Sequence, residues 1–373
     1  MSNERDVAVV LSGGAFNGVL MELGFLRRLQ ESPLWARTGW IFGTSAGALA
    51  GTMAVTGRLD DLERFLFDLR PEQAFRPNRL WRLPLLGTHD YTLPDTIAKA
   101  FGGLTELARE LVAADRELVV CATDVSEDAT PEDYDFELTY SSRTTSPELL
   151  AQAIVASAAV SQLVLPVRVG DRIATDGAWS RNFPLGHAYD RPEVEMIVAF
   201  RYIPRYPRVD AAPLARLRRR LERFRGVPPI RTLIADLREA EARDERGEPP
   251  HLVDMIRRLM RIAVMRGTVL EERVADERDQ SIRELDRLRG DVTALLAGSV
   301  SDDVLRAVEG RFGQTRFPFR HDRLVPRVTV RAAAGEFSLE TGLRGGSAWT
   351  REAKQALVDR GYALADAELR AYD

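Results

Sequence analysis

Trp40-Ile41-Phe42-Gly43-Thr44-Ser45-Ala46-Gly47-Ala48-Leu49-Ala50-Gly51 is the stretch on which the reading of the fold depends. An apolar triplet enters a tight turn of small residues, and a small-residue helix leaves it and runs to about Val55. Strand, turn and helix in that order make half of a β-α-β unit. Gly43 to Gly47 fits G-x-S-x-G, the pattern that sets a serine on a sharp strand-to-helix turn with its hydroxyl exposed. The flanking residues must be small because a Cβ at either glycine would crowd the neighbouring chain. The helix behind Ser45 turns its positive end toward any carbonyl that the hydroxyl attacks.

Upstream, the same unit is already written once. Asp6-Val7-Ala8-Val9-Val10-Leu11 reads as a buried strand, and Ser12-Gly13-Gly14-Ala15-Phe16-Asn17-Gly18 as a glycine turn. An apolar-periodic helix follows from near Gly18 through Leu20, Leu23, Leu26 and Leu29 and ends before Pro33. Two successive β-turn-α units predict a mostly parallel sheet with helices on its faces. Backbone N–H groups at such a turn can hold a developing oxyanion. A phosphate loop is the weaker reading because Val19-Leu20 stands where Lys-Ser/Thr would be needed, and glycines 13, 14 and 18 miss the dinucleotide spacing. A merely structural strand-to-helix turn stays open as the alternative.

Downstream, residues 71–95 carry four prolines and the apolar tract Leu80 to Leu86, which predicts a long loop or cap. A helix at 103–114, a strand at 117–123, a small-residue helix at 147–160 and strands at 166–169, 172–175 and 194–200 follow. Past residue 205 the composition changes to long charged helices, with Leu214, Leu217, Leu221 and Phe224 as one apolar stripe and a repeat of the pattern over 251–289. Pro-Pro pairs at 228–229 and 249–250 separate these helices. Arg327 to Arg331 reads as a strand, and Thr350 to Tyr372 as a closing helix with Gly361 as its weak point. The expected organisation is a catalytic core at 1–204, a helical insertion or cap at 205–320, and a strand and helix at 321–373 that return to the core.

Asp176-Gly177-Ala178 follows the strand that ends at Thr175. A carboxylate at a strand end beside a glycine can approach another loop closely; an Asx turn is the simpler use of an Asp-Gly pair. The histidines are His89, His187, His251 and His321. A Ser45–Asp176–His187 triad would have the chain order of an α/β-hydrolase, yet residue 45 comes too early for that fold. A surface or packing role is expected for His187, a helix start for His251, and structural hydrogen bonding for Asp124. No histidine pair has ligand spacing, so neither a metal nor a cofactor is expected.

Against 52 basic residues stand 56 acidic ones, a net charge of −4, which argues against sequence-independent nucleic-acid binding. Only Lys99 and Lys354 among the basic residues are lysines, which reads as coding bias. Cys121 is the single cysteine, so no intrachain disulfide can form and a reducing, cytoplasmic setting is expected. The N-terminus does not read as a secretory signal, and no apolar run reaches spanning length, so any membrane contact would be peripheral. Trp81, Leu83, Leu85 and Leu86 with Arg79 and Arg82 make one candidate lip. The helix 214–225, with Arg216, Arg218, Arg219, Arg220, Arg223 and Arg225, is expected instead to pack on the core and pair with nearby acids such as those at 238–246. Nothing in the sequence speaks to oligomeric state.

Taken together, the loop Ser12 to Gly18, the Gly43 to Gly47 turn and Asp176-Gly177-Ala178 resemble the patatin-like phospholipases. Ala156-Ser157-Ala158-Ala159-Val160, Leu165-Pro166-Val167 and Asn182-Phe183-Pro184-Leu185 are similar to that family's text as well. The resemblance covers about 6–200 and returns over 324–373. It implies a three-layer α/β fold and a lipid acyl hydrolase of phospholipase A or lysophospholipase type. It also implies a Ser45–Asp176 dyad, an oxyanion hole at Gly13, Gly14 and Ala15, and supporting roles for Asn17, Gly18, Gly43, Gly47 and Gly177. Two positions depart from the pattern. Ala15 replaces the third loop glycine and is accommodated where its φ is negative, and Asn17 replaces a cationic residue near the oxyanion. The alternative is a patatin-fold lipid- or protein-binding module with weakened turnover.

Overall fold

Val7–Leu11 (β1) is buried along its whole length, which suits the central strand of a sheet covered on both sides. It pairs in parallel with β2 (Thr38–Thr44) on one side and β9 (Met196–Ile203) on the other. The structure, a computed structural model, describes residues 5–78, 89–127, 136–161, 163–204, 218–246, 252–314, 324–333 and 349–373. The apolar lip within 79–88, the segment 205–217 with Leu214 and Leu217 of the apolar stripe, His251 and His321 lie outside the described residues.

The remaining strands are β3 (Phe75–Pro77), β4 (His89–Tyr91), β5 (Glu117–Asp124), β6 (Glu137–Ser141), β7 (Val167–Val169), β8 (Arg172–Asp176) and β10 (Arg327–Ala333). The main sheet runs β10-β9-β1-β2-β5-β8-β7, with β6 also paired to β5. The five strands from β10 to β5 are parallel, whereas β6, β8 and β7 join antiparallel. β3 and β4 form a separate two-stranded ladder. The segment 71–95 is therefore not one loop: a helical turn at Pro71–Ala74, this ladder and the start of the helix Leu93–Phe101 interrupt it.

Alternation along the strands builds two cores. Val7, Val9, Leu11, Ile41 and Phe200 enter one with Leu23, Phe25 and Leu357. Ala8, Val10, Phe42 and Ile197 enter the other with Phe183, Leu185 and Ala275. The first face carries the helices Ala15–Glu31, Ala46–Val55 and Arg351–Leu369. Gly361 of the last is a point of close approach rather than of weakness, since a Cβ there would lie 2.0 Å from the Met21 carbonyl oxygen. The helix Ala15–Glu31 begins three residues before the expected start, on the glycine turn itself.

The second face is covered by Phe183, Leu185, Ala188 and Tyr189 of the short helical segments after β8, and one long helix, Leu252–Leu296, packs over them. Its grip is polar. Glu271 pairs with Arg181, Glu272 with Arg201 and Arg331, and Asp276 with Arg327. Arg278 stacks 4.1 Å over the Tyr189 ring. Ala275 and Ile282 are its buried apolar positions among the described residues. Earlier in the chain, Arg218 pairs with Glu222 and Glu241, but Arg219, Arg220, Arg223 and Arg225 are exposed with no ion pair among the described residues and Phe224 is 49% exposed, so the expected packing and pairing of the 214–225 helix holds only at Arg218.

Candidate active site

Register sets the site. Leu11 pairs with Gly43, Thr44 with Cys121, and Ala122 with Asp176. The turn after β1, the turn after β2 and the end of β8 therefore arrive at the same height, at the carboxyl ends of the parallel strands. Ser45 takes φ +55°, a left-handed value that a side-chain-bearing residue avoids and that aims its hydroxyl out of the turn. A Cβ on Gly43 would lie 2.5 Å from the Gly47 carbonyl oxygen, and one on Gly47 would lie 2.5 Å from that of Leu11. The elbow closes only with glycine at both places.

Ser45 Oγ donates to Asp176 Oδ2 at 2.8 Å. Asp176 Oδ1 accepts the Ala178 N–H at 2.9 Å, and Thr123 Oγ1 donates to the Asp176 carbonyl at 2.8 Å. Gly177 permits this approach, because a Cβ there would lie 2.3 Å from the Cys121 carbonyl oxygen. Burial raises the Asp176 pKa to about 6 against the opposing pull of the Ala178 N–H and the Ser45 hydroxyl. Such a carboxylate is basic enough to receive a hydroxyl proton near neutral pH.

The glycine loop lies against the serine. A Cβ on Gly13 would sit 3.4 Å from Ser45 Cβ and 2.4 Å from Asn182 Oδ1. The Gly13 N–H is committed to the Asn182 carbonyl at 2.9 Å. Those of Gly14 and Ala15 have no acceptor among the described residues. Ala15 has φ +47°, against the expectation of a negative value: the turn needs a left-handed residue there and alanine bears it. Asn17 is buried and donates to the Tyr202 hydroxyl at 3.0 Å, so its side chain ties the helix to β9. Gly14 and Gly18 lie against the Tyr202 ring.

Three residues that carry no motif complete the support. Ser157 Oγ accepts the Ser45 N–H at 2.8 Å and donates to the Cys121 carbonyl at 2.6 Å. Asn182 Nδ2 donates to Thr268 Oγ1 at 2.9 Å, which joins the glycine loop to the long helix. Arg261 of that helix lines the cleft in front of Ser45 and, with Asp176, supplies its charged side chains among the described residues. Ser157 and Asn182 sit in text that looked family-like in the sequence, but nothing there assigned them contacts. Arg261 had no signal.

Two cavities meet at Ser45. One is apolar and is lined by Phe16, Leu49, Met53, Phe65, Ile97 and others. The second is the open cleft, lined by Gly14, Ala15, Asp176, Trp179, Tyr202 and Arg261.

His187 is elsewhere engaged. Its Nε2 lies 2.6 Å from Glu137 Oε1, and its ring stacks on Phe42. Glu137 also accepts from Arg181 Nε at 2.6 Å. Cys121, Glu137 and His187 bring ligand-type atoms within 4.8 Å of one another, the candidate metal cluster among the described residues. The carboxylate there is already shared by an arginine and the histidine, and burial pushes the Cys121 thiol up, both of which disfavour a cation. Asp124 accepts the Ser126 N–H at 2.9 Å in an Asx turn and pairs with Arg172 at 3.5 Å.

Among known proteins, residues 9–189 match the Patatin family, described as patatin-like phospholipase. No curated protein matches the chain. Among solved structures, the crystal structure of VipD from Legionella pneumophila is similar at 14% identity and a TM-score of 0.38, over 98% of this chain and 67% of that one.

Proposed function

Since residues 9–189 place the chain in the patatin-like phospholipase family, we propose that it is a serine hydrolase of lipid acyl esters, of phospholipase A or lysophospholipase type. The observation that carries the reading is the 2.8 Å bond from the left-handed Ser45 to a buried carboxyl with a pKa of about 6. Ser45 Oγ attacks the ester carbonyl as its proton passes to Asp176. The N–H groups of Gly14 and Ala15 receive the oxyanion, while Gly13, held by Asn182, fixes the loop. Asp176 returns the proton to the departing alcohol. Water then attacks the acyl-serine, gives its proton to Asp176, and the acid leaves as Ser45 recovers a proton.

The apolar cavity suits the acyl chain, and the open cleft suits the alcohol. Asn17 does not weaken this reading, because its amide is spent on Tyr202. A fluorophosphonate probe tests it. The chain should label at Ser45 and hydrolyse a water-soluble ester, and Ser45→Ala should do neither while keeping the circular-dichroism spectrum of the parent. An unlabelled, inactive but folded parent would leave the binding-module alternative in its place.

A further inference from the structure

From the N-terminal half of the long helix Leu252–Leu296 we infer a docking surface for anionic lipid, set at the lip of the cleft and outside the family match. The inference rests on the hydrolase reading for its purpose, though not for its measurement. This helix has an inward and an outward face. Arg261, Val264 and Met265 line the cleft. Thr268 and Glu272 are buried against the core. Met255, Leu259 and Ile262, spaced four and three apart, form an outward stripe that is 43%, 56% and 59% exposed.

Charge marks what the stripe meets. Residues 255–270, Met-Ile-Arg-Arg-Leu-Met-Arg-Ile-Ala-Val-Met-Arg-Gly-Thr-Val-Leu, hold four arginines and no acid, in a chain whose net charge is −4. Arg258 is exposed beside the stripe and Arg266 is exposed on the same line one turn beyond Ile262, and neither has an ion pair among the described residues. Farther along the same helix acids return to the sequence, and Arg273 pairs with Glu277 at 2.7 Å and Arg287 with Glu284 at 3.3 Å, while Arg283 and Arg289 have no ion pair among the described residues. Exposed leucine and isoleucine between unpaired arginines match the acyl boundary and the headgroups of an anionic leaflet. A second copy on the same stripe would bring arginines against arginines. Docking here would bring the open cleft, and the serine in it, to the lipid surface.

The test is co-sedimentation of the full chain with phosphatidylcholine vesicles, with and without phosphatidylglycerol, beside hydrolysis of a water-soluble ester. The parent should bind the anionic vesicles and be released by salt. Leu259→Asp/Ile262→Asp and Arg258→Glu/Arg266→Glu should each lower partitioning by roughly tenfold or more. Hydrolysis of the soluble ester should stay within about twofold of the parent, as these side chains lie outside the cleft lining. The docking inference is overturned if the parent does not sediment, if either double variant sediments like the parent, or if the apolar variant abolishes only a concentration-dependent dimer. Vesicle binding without ester hydrolysis would instead overturn the hydrolase reading and leave the docking surface standing.

Discussion

Replacing Asp176 by asparagine should stabilise the protein while it stops turnover. Burial lifts the Asp176 carboxyl from 3.8 to about 6. Between those values the folded chain holds a proton that the unfolded chain has released, so stability falls as pH rises through this window. Above about pH 6 the whole cost is present, and a pKa difference of about 2 corresponds to about 3 kcal/mol. Asparagine can keep both hydrogen bonds. Its Oδ1 can accept the Ala178 N–H where Asp176 Oδ1 now lies at 2.9 Å, and its amide can donate to Ser45 Oγ where Oδ2 now lies at 2.8 Å. The substitution therefore reads the buried charge. At pH 8 a gain of about 3 kcal/mol is expected, a rise of about 4 °C in Tm for a chain of this length. Near pH 4 most of the gain should be gone, because Asp176 is then already neutral in the folded state. Ester hydrolysis should fall by about 10² to 10⁴-fold, the usual worth of a general base. The assay is denaturant unfolding of both proteins across a pH series, with differences taken at each pH so that other groups cancel. A variant no more stable than the parent at pH 8, or a gain undiminished at pH 4, would refute the reasoning.

In the parent, kcat/KM should rise with pH to a plateau with a midpoint at about 6, where Asp176 gives up its proton, and His187→Ala should leave that midpoint in place. A second ionisation tracking His187 would bring the triad back. Ser157→Ala strips the buried Ser45 N–H of its acceptor and should cost about 1–3 kcal/mol in unfolding, with a fall in kcat larger than any change in KM. Ala15→Gly removes a side chain from a left-handed position, and thermal melts should show a gain of about 1 kcal/mol. An unchanged melt would mean that the turn imposes no strain there.

What could be read from the sequence was what sterics writes into residue type. Gly43, Ser45 and Gly47 announce an elbow because no Cβ fits where a carbonyl lies 2.5 Å away. β1 announces itself as central because a strand buried on both faces has no polar residue to alternate. The meeting of Ser45 with Asp176 was reachable only through the resemblance, since it depends on an antiparallel strand, β8, closing onto β5 in a register that no local pattern encodes. Asn17 misled in another way. A missing cation looked like a missing catalytic charge, but the side chain turns inward to Tyr202, 185 residues away. Gly361 misled because helix propensity counts only the helix it sits in, while its worth lies in the contact with Met21.

The long helix was harder still. Its alternation of apolar and charged residues said helix, but its docking is made by Glu271, Glu272 and Asp276, each matched to an arginine on a strand or turn remote in sequence. In a chain this rich in arginine and acid, such partners look like any other solvated charges until the fold brings them together. The consequence for function is specific. Because that same docking holds Thr268 against Asn182, and Asn182 holds Gly13, the geometry of the glycine loop is set partly by a helix outside the family match. Asn182 is buried and bonds to both elements, so loosening the helix should be felt at Ser45 first through this loop and not through Asp176, whose partners all lie within the matched segment.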